Sequence, residues 1–217
     1  MAEIHNQHGT YLTRKSAELG IAVADAAAFL KVESGGRGFG RDGRMIIRFE
    51  NHVFYNHWGE NHAEQFRQHF QFNSRRRWTG HKFRASASGE FAAFHGNQSR
   101  EWAVLEFART LDDEQAIQSI SMGAAQVLGT NYRLLGYDSA REMFDDMSGS
   151  IDRQLDGLFS YIANRRRGII VNALREHNYR LAARYYNGRG KEELYGNRIQ
   201  AASQAYQRIT SRPATSE

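Results

Sequence analysis

The chain of 217 residues predicts a mainly α, α+β fold. Three observations lead there. Eight segments carry apolar residues at helical spacing, one short segment alternates with the period of a strand, and the joins between them are short. With 41% hydrophobic residues the chain can bury a proper core, and one domain is the default at this length. Only one proline, Pro213, and no Gly/Ser-rich linker are present, so a second module is not expected. The organisation read from this is an N-terminal arm over residues 1–10, one domain over 11–210 and a tail over 211–217. No period of the lengths that mark solenoids or propellers is seen.

The helical spacing falls at 11–19, 21–33, 101–111, 113–128, 151–165, 169–176, 179–186 and 198–209. In the second of these, Ile21, Ala24, Ala28, Phe29 and Val32 form the inward stripe, and Glu33 stands at its edge, immediately before Ser34, Gly35 and Gly36. Two terms then favour a protonated Glu33: burial, and the negative end of the helix dipole. Such a carboxyl suits a general acid, or else it is an exposed glutamate just before a glycine cap. Asp42-Gly43 signals a turn, and 44–50 alternates, so Met45, Ile47 and Phe49 share one face while Ile46, Arg48 and Glu50 share the other. Glu50 therefore ends a strand. A carboxyl on a helix end with another on the next strand is the pair that glycoside hydrolysis uses; the alternative is a salt bridge from Glu50 to Arg48 or Arg37.

Within 113–128, Ile117, Ile120, Ala124 and Val127 form the inward stripe, and small residues at Gly123, Ala124 and Ala125 admit a close neighbour, either a sugar ring or a helix. Tyr185-Tyr186-Asn187-Gly188 ends another helix, with Gly188 as an αL cap and Asn187 as a hydrogen-bonding side chain.

Net charge is +5, carried mostly by arginine, so anionic partners are expected. The densest basic segment, 70–84, interleaves Phe70, Phe72, Trp78 and Phe83 with Arg75, Arg76, Arg77, Lys82 and Arg84. It reads as a solvated loop, as a platform stacking carbohydrate on Trp78, or as a holder of single-stranded nucleic acid. His52, His57 and His62 recur every five residues, which spreads them around a helix, so no metal site and no cofactor are expected. The absence of cysteine excludes disulfides and thiol chemistry. Neither a His-Glu-x-x-His motif, a phosphate-binding Gly-Lys-Ser/Thr loop nor a nucleophile elbow is present. The first residues lack the basic-then-apolar pattern of a signal peptide, and no apolar run approaches membrane-spanning length, so a soluble protein made in the cytoplasm is expected.

Four ordered blocks carry a family resemblance. Glu33-Ser34-Gly35-Gly36-Arg37-Gly38-Phe39, Arg44-Met45-Ile46-Ile47-Arg48-Phe49-Glu50-Asn51-His52-Val53-Phe54, Ser121-Met122-Gly123-Ala124-Ala125-Gln126-Val127-Leu128-Gly129-Thr130-Asn131-Tyr132 and Arg184-Tyr185-Tyr186-Asn187-Gly188 resemble the motifs of the N-acetylmuramidase family of phage endolysins. More distantly, they are similar to goose-type lysozymes and soluble lytic transglycosylases. The chain departs from the family at Met122, where an aromatic is usual, and at Arg189, where a proline is. Residues 59–100 match poorly.

The resemblance implies a lysozyme-like helical domain with a small β-hairpin or sheet beside the catalytic helix. The implied activity is hydrolysis of the β-1,4 bond between N-acetylmuramic acid and N-acetylglucosamine, with lytic transglycosylation and non-catalytic wall or nucleic-acid binding as alternatives. Glu33 would be the acid and Glu50 the second carboxylate; Ser34, Arg48, Ser121, Gln126, Tyr186 and Asn187, with Trp78 from the basic loop, would bind substrate. Peptidoglycan is then the expected partner, ahead of nucleic acid, with an immunity protein or delivery machinery as further partners. The wall would be reached by holin-dependent release, as for an endolysin, or by injection, as for an antibacterial effector.

Overall fold

A computed structural model describes residues 1–34 and 37–211, except for the side chain of Ser34. In chain order the elements are α1 (Ala2–Leu19), α2 (Val23–Ser34), β1 (Ile47–Phe49), α3 (Asn51–Phe54), a π-helical turn (Tyr55–Gly59), α4 (Ala63–His69), β2 (Phe70–Gln71), β3 (Lys82–Phe83), β4 (Ala92–Ala93), α5 (Gln98–Leu111), α6 (Asp113–Gln118), β5 (Ile120–Met122), β6 (Val127–Leu128), α7 (Tyr132–Leu135), α8 (Ala140–Gly149), α9 (Ile151–Asn164), α10 (Ile169–Arg175), α11 (Tyr179–Asn187) and α12 (Glu192–Thr210). The fold is mainly α, of the α+β kind, with two small antiparallel sheets. The chain divides into two compact units, Met1–Arg37 with Leu155–Glu217, and Gly38–Gln154.

In the first unit α2 is the central helix. Ala24 and Asp25 to Leu30 are all buried, so the helix is enclosed on every side, as its alanine-rich sequence permits. Asp25 is fully buried yet satisfied: Ser203 Oγ and Tyr179 Oη donate to its Oδ1 at 2.6 and 2.9 Å, and His177 Nδ1 lies 2.8 Å from Oδ2. Two distant stretches, residues 177–179 and α12, are thereby tied to α2. The helix expected from Tyr11 begins at Ala2 and buries Ile4 and His8, so residues 1–10, read as an arm, are the first turns of α1. Gly20 ends that helix in the left-handed region at φ 63°, its N–H and that of Ile21 returning to Ala17 and Ser16. Gly196 lets α12 pass close to α11, since a Cβ there would stand 2.9 Å from Arg180 Cα.

In the second unit β1, β5 and β6 form one sheet in the order β1-β5-β6, and β2, β3 and β4 form the other. The expected alternation holds: Met45, Ile47 and Phe49 are buried, and Arg48 is exposed. The regular strand is shorter than 44–50, because Met45 makes only an isolated bridge to Phe39 and Glu50 already caps α3. Gln98 completes the free edge of β1, its Oε1 accepting from Ile47 N and its Nε2 donating to Ile47 O, both at 2.9 Å.

The helix expected over 113–128 is corrected. It stops at Gln118, and Ile120–Met122 and Val127–Leu128 form a hairpin. Gly123 and Gln126 take φ of +71° and +49°, which a right-handed helix does not tolerate. The close neighbour of the small residues is a helix, α9, through the buried side chain of its Gln154, whose Oε1 accepts from Ala124 N at 2.8 Å. Strands β2 to β4 and helices α4 and α8 had no counterpart in the sequence reading. Two-residue strands are too short to show a period.

Candidate active site

Within the first unit, Glu33 stands on the last turn of α2 and Asn187 ends α11. Asn187 Nδ2 donates to Glu33 Oε1 at 2.9 Å. Glu33 is half-buried, and that burial holds its carboxyl above the ordinary range, while the Asn187 amide pulls the other way. Tyr186 packs edge-on against Phe29 and Tyr161, with ring centroids 5.0 and 5.8 Å away. Burial, and then the nearby Glu33 carboxyl, push its hydroxyl well above the usual phenol range. Tyr186 is therefore a neutral wall beside Glu33. Gly188 has positive φ as expected but ψ of 177°, so it is not an αL cap; this is a glycine-only conformation that turns the chain sharply after Asn187. Beside it Arg165, Arg166, Arg184, Arg189, Tyr185 and Gly188 line a pocket of about 210 Å³. Gly35, Gly36 and the Ser34 side chain lie outside the described residues.

Within the second unit, Glu50 follows β1, with its N–H donating to Ser119 O at 2.8 Å. Arg48 Nε donates to Glu50 Oε1 at 2.8 Å, so the ion pair is formed. Arg48 and Ser121 are partners in the β1–β5 ladder and share a face. Gln126 sits in the hairpin turn, exposed, its Nε2 donating to Gly123 O at 3.0 Å. Trp78 is 64% exposed in the loop between β2 and β3. In the same loop Arg77 is engaged: it donates to Asn56 Oδ1 at 2.6 Å and lies over the Phe72 and Tyr55 rings. Arg75 and Arg76 are exposed. A groove of about 680 Å³ runs along Tyr55, Phe70, Gln71, Phe72, Asn73 and Lys82.

The sequence reading missed His81, His95 and Glu101. Buried Glu101 accepts from Phe49 N at 2.8 Å and lies 2.9 Å from His95 Nδ1, whose other nitrogen is 2.9 Å from His81 Nδ1. Burial holds His52 and His81 below the usual imidazole range, so both are neutral at neutral pH. Glu50, His52 and His81 are the described residues grouped closely enough to hold a metal ion. The five-residue histidine spacing gave no sign of this, because the partner of His52 is His81 and neither His57 nor His62 belongs to the group.

A half-buried glutamate at a helix end, its carboxyl held above the ordinary range and bonded by an asparagine after a Tyr-Tyr pair, is a candidate general acid on a mainly helical fold. The chain belongs to the N-acetylmuramidase family, whose profile matches residues 22–208. Among solved structures it is similar to the crystal structure of the Burkholderia AP3 phage endolysin, at 26% identity and a TM-score of 0.72, over 91% of this chain and 70% of that one. No curated protein matches it.

Proposed function

We propose that the chain is a lysozyme-type peptidoglycan hydrolase that cleaves the β-1,4 bond between N-acetylmuramic acid and N-acetylglucosamine, acting in cell lysis as an endolysin or a delivered antibacterial effector. The observation that carries the reading is the Glu33 carboxyl, its pKa raised by burial and its position fixed by Asn187, in a chain whose family profile spans both units. Glu33 donates its proton to the glycosidic oxygen as the bond breaks. In the same step Glu50, ion-paired with Arg48, activates the attacking water, and the product has inverted configuration. Ser34, Arg48, Ser121, Gln126, Tyr186 and Asn187 hold the reacting sugars, and Trp78 stacks on the strand further out. Peptidoglycan stem peptides are anionic, which suits the four-arginine pocket beside Gly188. No described helix is long and apolar enough to cross a membrane.

One observation favours a second reading, lytic transglycosylation by Glu33 alone. Glu50 Oε1 is engaged by Arg48, and Oε2 is buried, which hinders Glu50 from reaching water. Mass spectrometry of digested peptidoglycan decides between the two: reducing-end muropeptides support hydrolysis, 1,6-anhydro products support transglycosylation, and intact glycan strands refute both.

A further inference from the structure

We infer that Glu50, His52 and His81 form a binding site for one divalent transition-metal ion of the zinc class. All three belong to the same compact unit. Glu50 Oε2 lies 3.5 Å from His52 Nδ1 and 3.5 Å from His81 Nδ1, and the three donor atoms all fall within 4.8 Å of one another. These separations exceed hydrogen-bond lengths of about 2.7–3.2 Å. They match the edges of a coordination sphere: with metal–ligand bonds of about 2.0–2.2 Å at tetrahedral angles, neighbouring donors stand about 3.3–3.6 Å apart.

A second observation points the same way. Glu50 Oε2 and His52 Nδ1 are both buried and have no hydrogen-bond partner among the described residues, although buried polar atoms of this kind are nearly always satisfied. The carboxylate cannot simply turn to relieve this, because Arg48 holds Oε1 at 2.8 Å. His81 is oriented as a ligand would be. Its Nε2 lies 2.9 Å from Arg77 O, which can only accept, so Nε2 carries the hydrogen and Nδ1 the lone pair facing Glu50. That lone pair is also met by His95 Nε2 at 2.9 Å, and an ion would take over this contact. Two imidazoles and one carboxylate suit zinc, whereas magnesium and calcium prefer all-oxygen sites. Three protein ligands leave a fourth position for water.

An ion on Oε2 would withhold Glu50 from acid–base work, so if the proposed hydrolytic role of Glu50 is right, the loaded chain is the less active form. Binding is measured without any lytic assay. The full chain, free of a histidine tag, is titrated with Zn²⁺ by calorimetry, with Co²⁺ absorbance as a second probe and Mg²⁺ as the control. One Zn²⁺ per chain, unaffected by Mg²⁺, is expected. His52→Ala should weaken it by at least about 10–100-fold, the scale already seen when mere supporting residues are removed. Zn²⁺ should raise the Tm of the wild type but not of His52→Ala. His81→Gln is the second variant, and circular dichroism without metal establishes that each is folded. Absence of stoichiometric binding, or equal binding by folded His52→Ala, overturns the site. Binding with unchanged lysis supports the site and removes Glu50 from the proposed chemistry.

Discussion

Asn187 Nδ2 donates to Glu33 Oε1 at 2.9 Å, joining the end of α11 to the end of α2. The bond favours the ionised carboxylate and so opposes the effect of burial. Asn187→Leu removes this opposition. The pKa of Glu33 should rise, moving the alkaline limb of a pH–activity profile to higher pH, and kcat should fall because the acid is no longer oriented. A profile displaced to lower pH would contradict the arrangement.

Glu33→Gln keeps the hydrogen-bond acceptor for Asn187 but has no proton to give, and lysis should fall by about 10²–10⁴-fold. Stability should respond in the opposite sense. A folded-state pKa raised above the unfolded value means that the native state binds more protons, so wild-type stability falls as pH rises from the unfolded pKa through the folded one. The variant escapes that loss. Unfolding at pH 7 should show it at least as stable as wild type, and the gap should close in acid.

For Glu50→Gln the products matter as much as the rate. If Glu50 activates water, turnover should collapse by about 10²-fold or more while Glu33 remains competent. The wild-type products should then carry inverted reducing ends by NMR during digestion. Near-normal turnover by the folded variant would leave Glu33 acting alone.

The basic loop divides into two kinds of arginine. Arg75 and Arg76 are exposed, so changing both to Gln should weaken sedimentation with insoluble peptidoglycan and lessen its salt sensitivity, with little change in Tm. Arg77 is anchored to Asn56 and two aromatic rings, so Arg77→Gln should lower Tm. Unaltered wall binding by the double variant would return the loop to simple solvation.

Gln98→Leu tests the edge of β1. It removes both partners of the Ile47 backbone, and leaving such groups unpaired costs about 1–3 kcal/mol. Urea unfolding should show a loss of that size.

Much of this molecule was legible in its sequence wherever the signal was periodic. The helical spacing before Glu33 placed that acid at the end of α2, and the alternation of Met45, Ile47 and Phe49 placed their side chains in the core. Periodicity reports the backbone's own geometry, which neighbours in sequence share. It misled at 113–128, where apolar residues also satisfy a helical stripe. There the positive φ of Gly123 and Gln126, and the Gln154 side chain filling the space beside Ala124, decide for a hairpin. The tertiary structure alone decided which polar groups meet. Asn187 on Glu33, Gln98 on the edge of Ile47 and His81 facing Glu50 join residues far apart in the chain. Such pairs leave no local pattern, because their geometry is set by how the elements pack and not by the conformation of either segment.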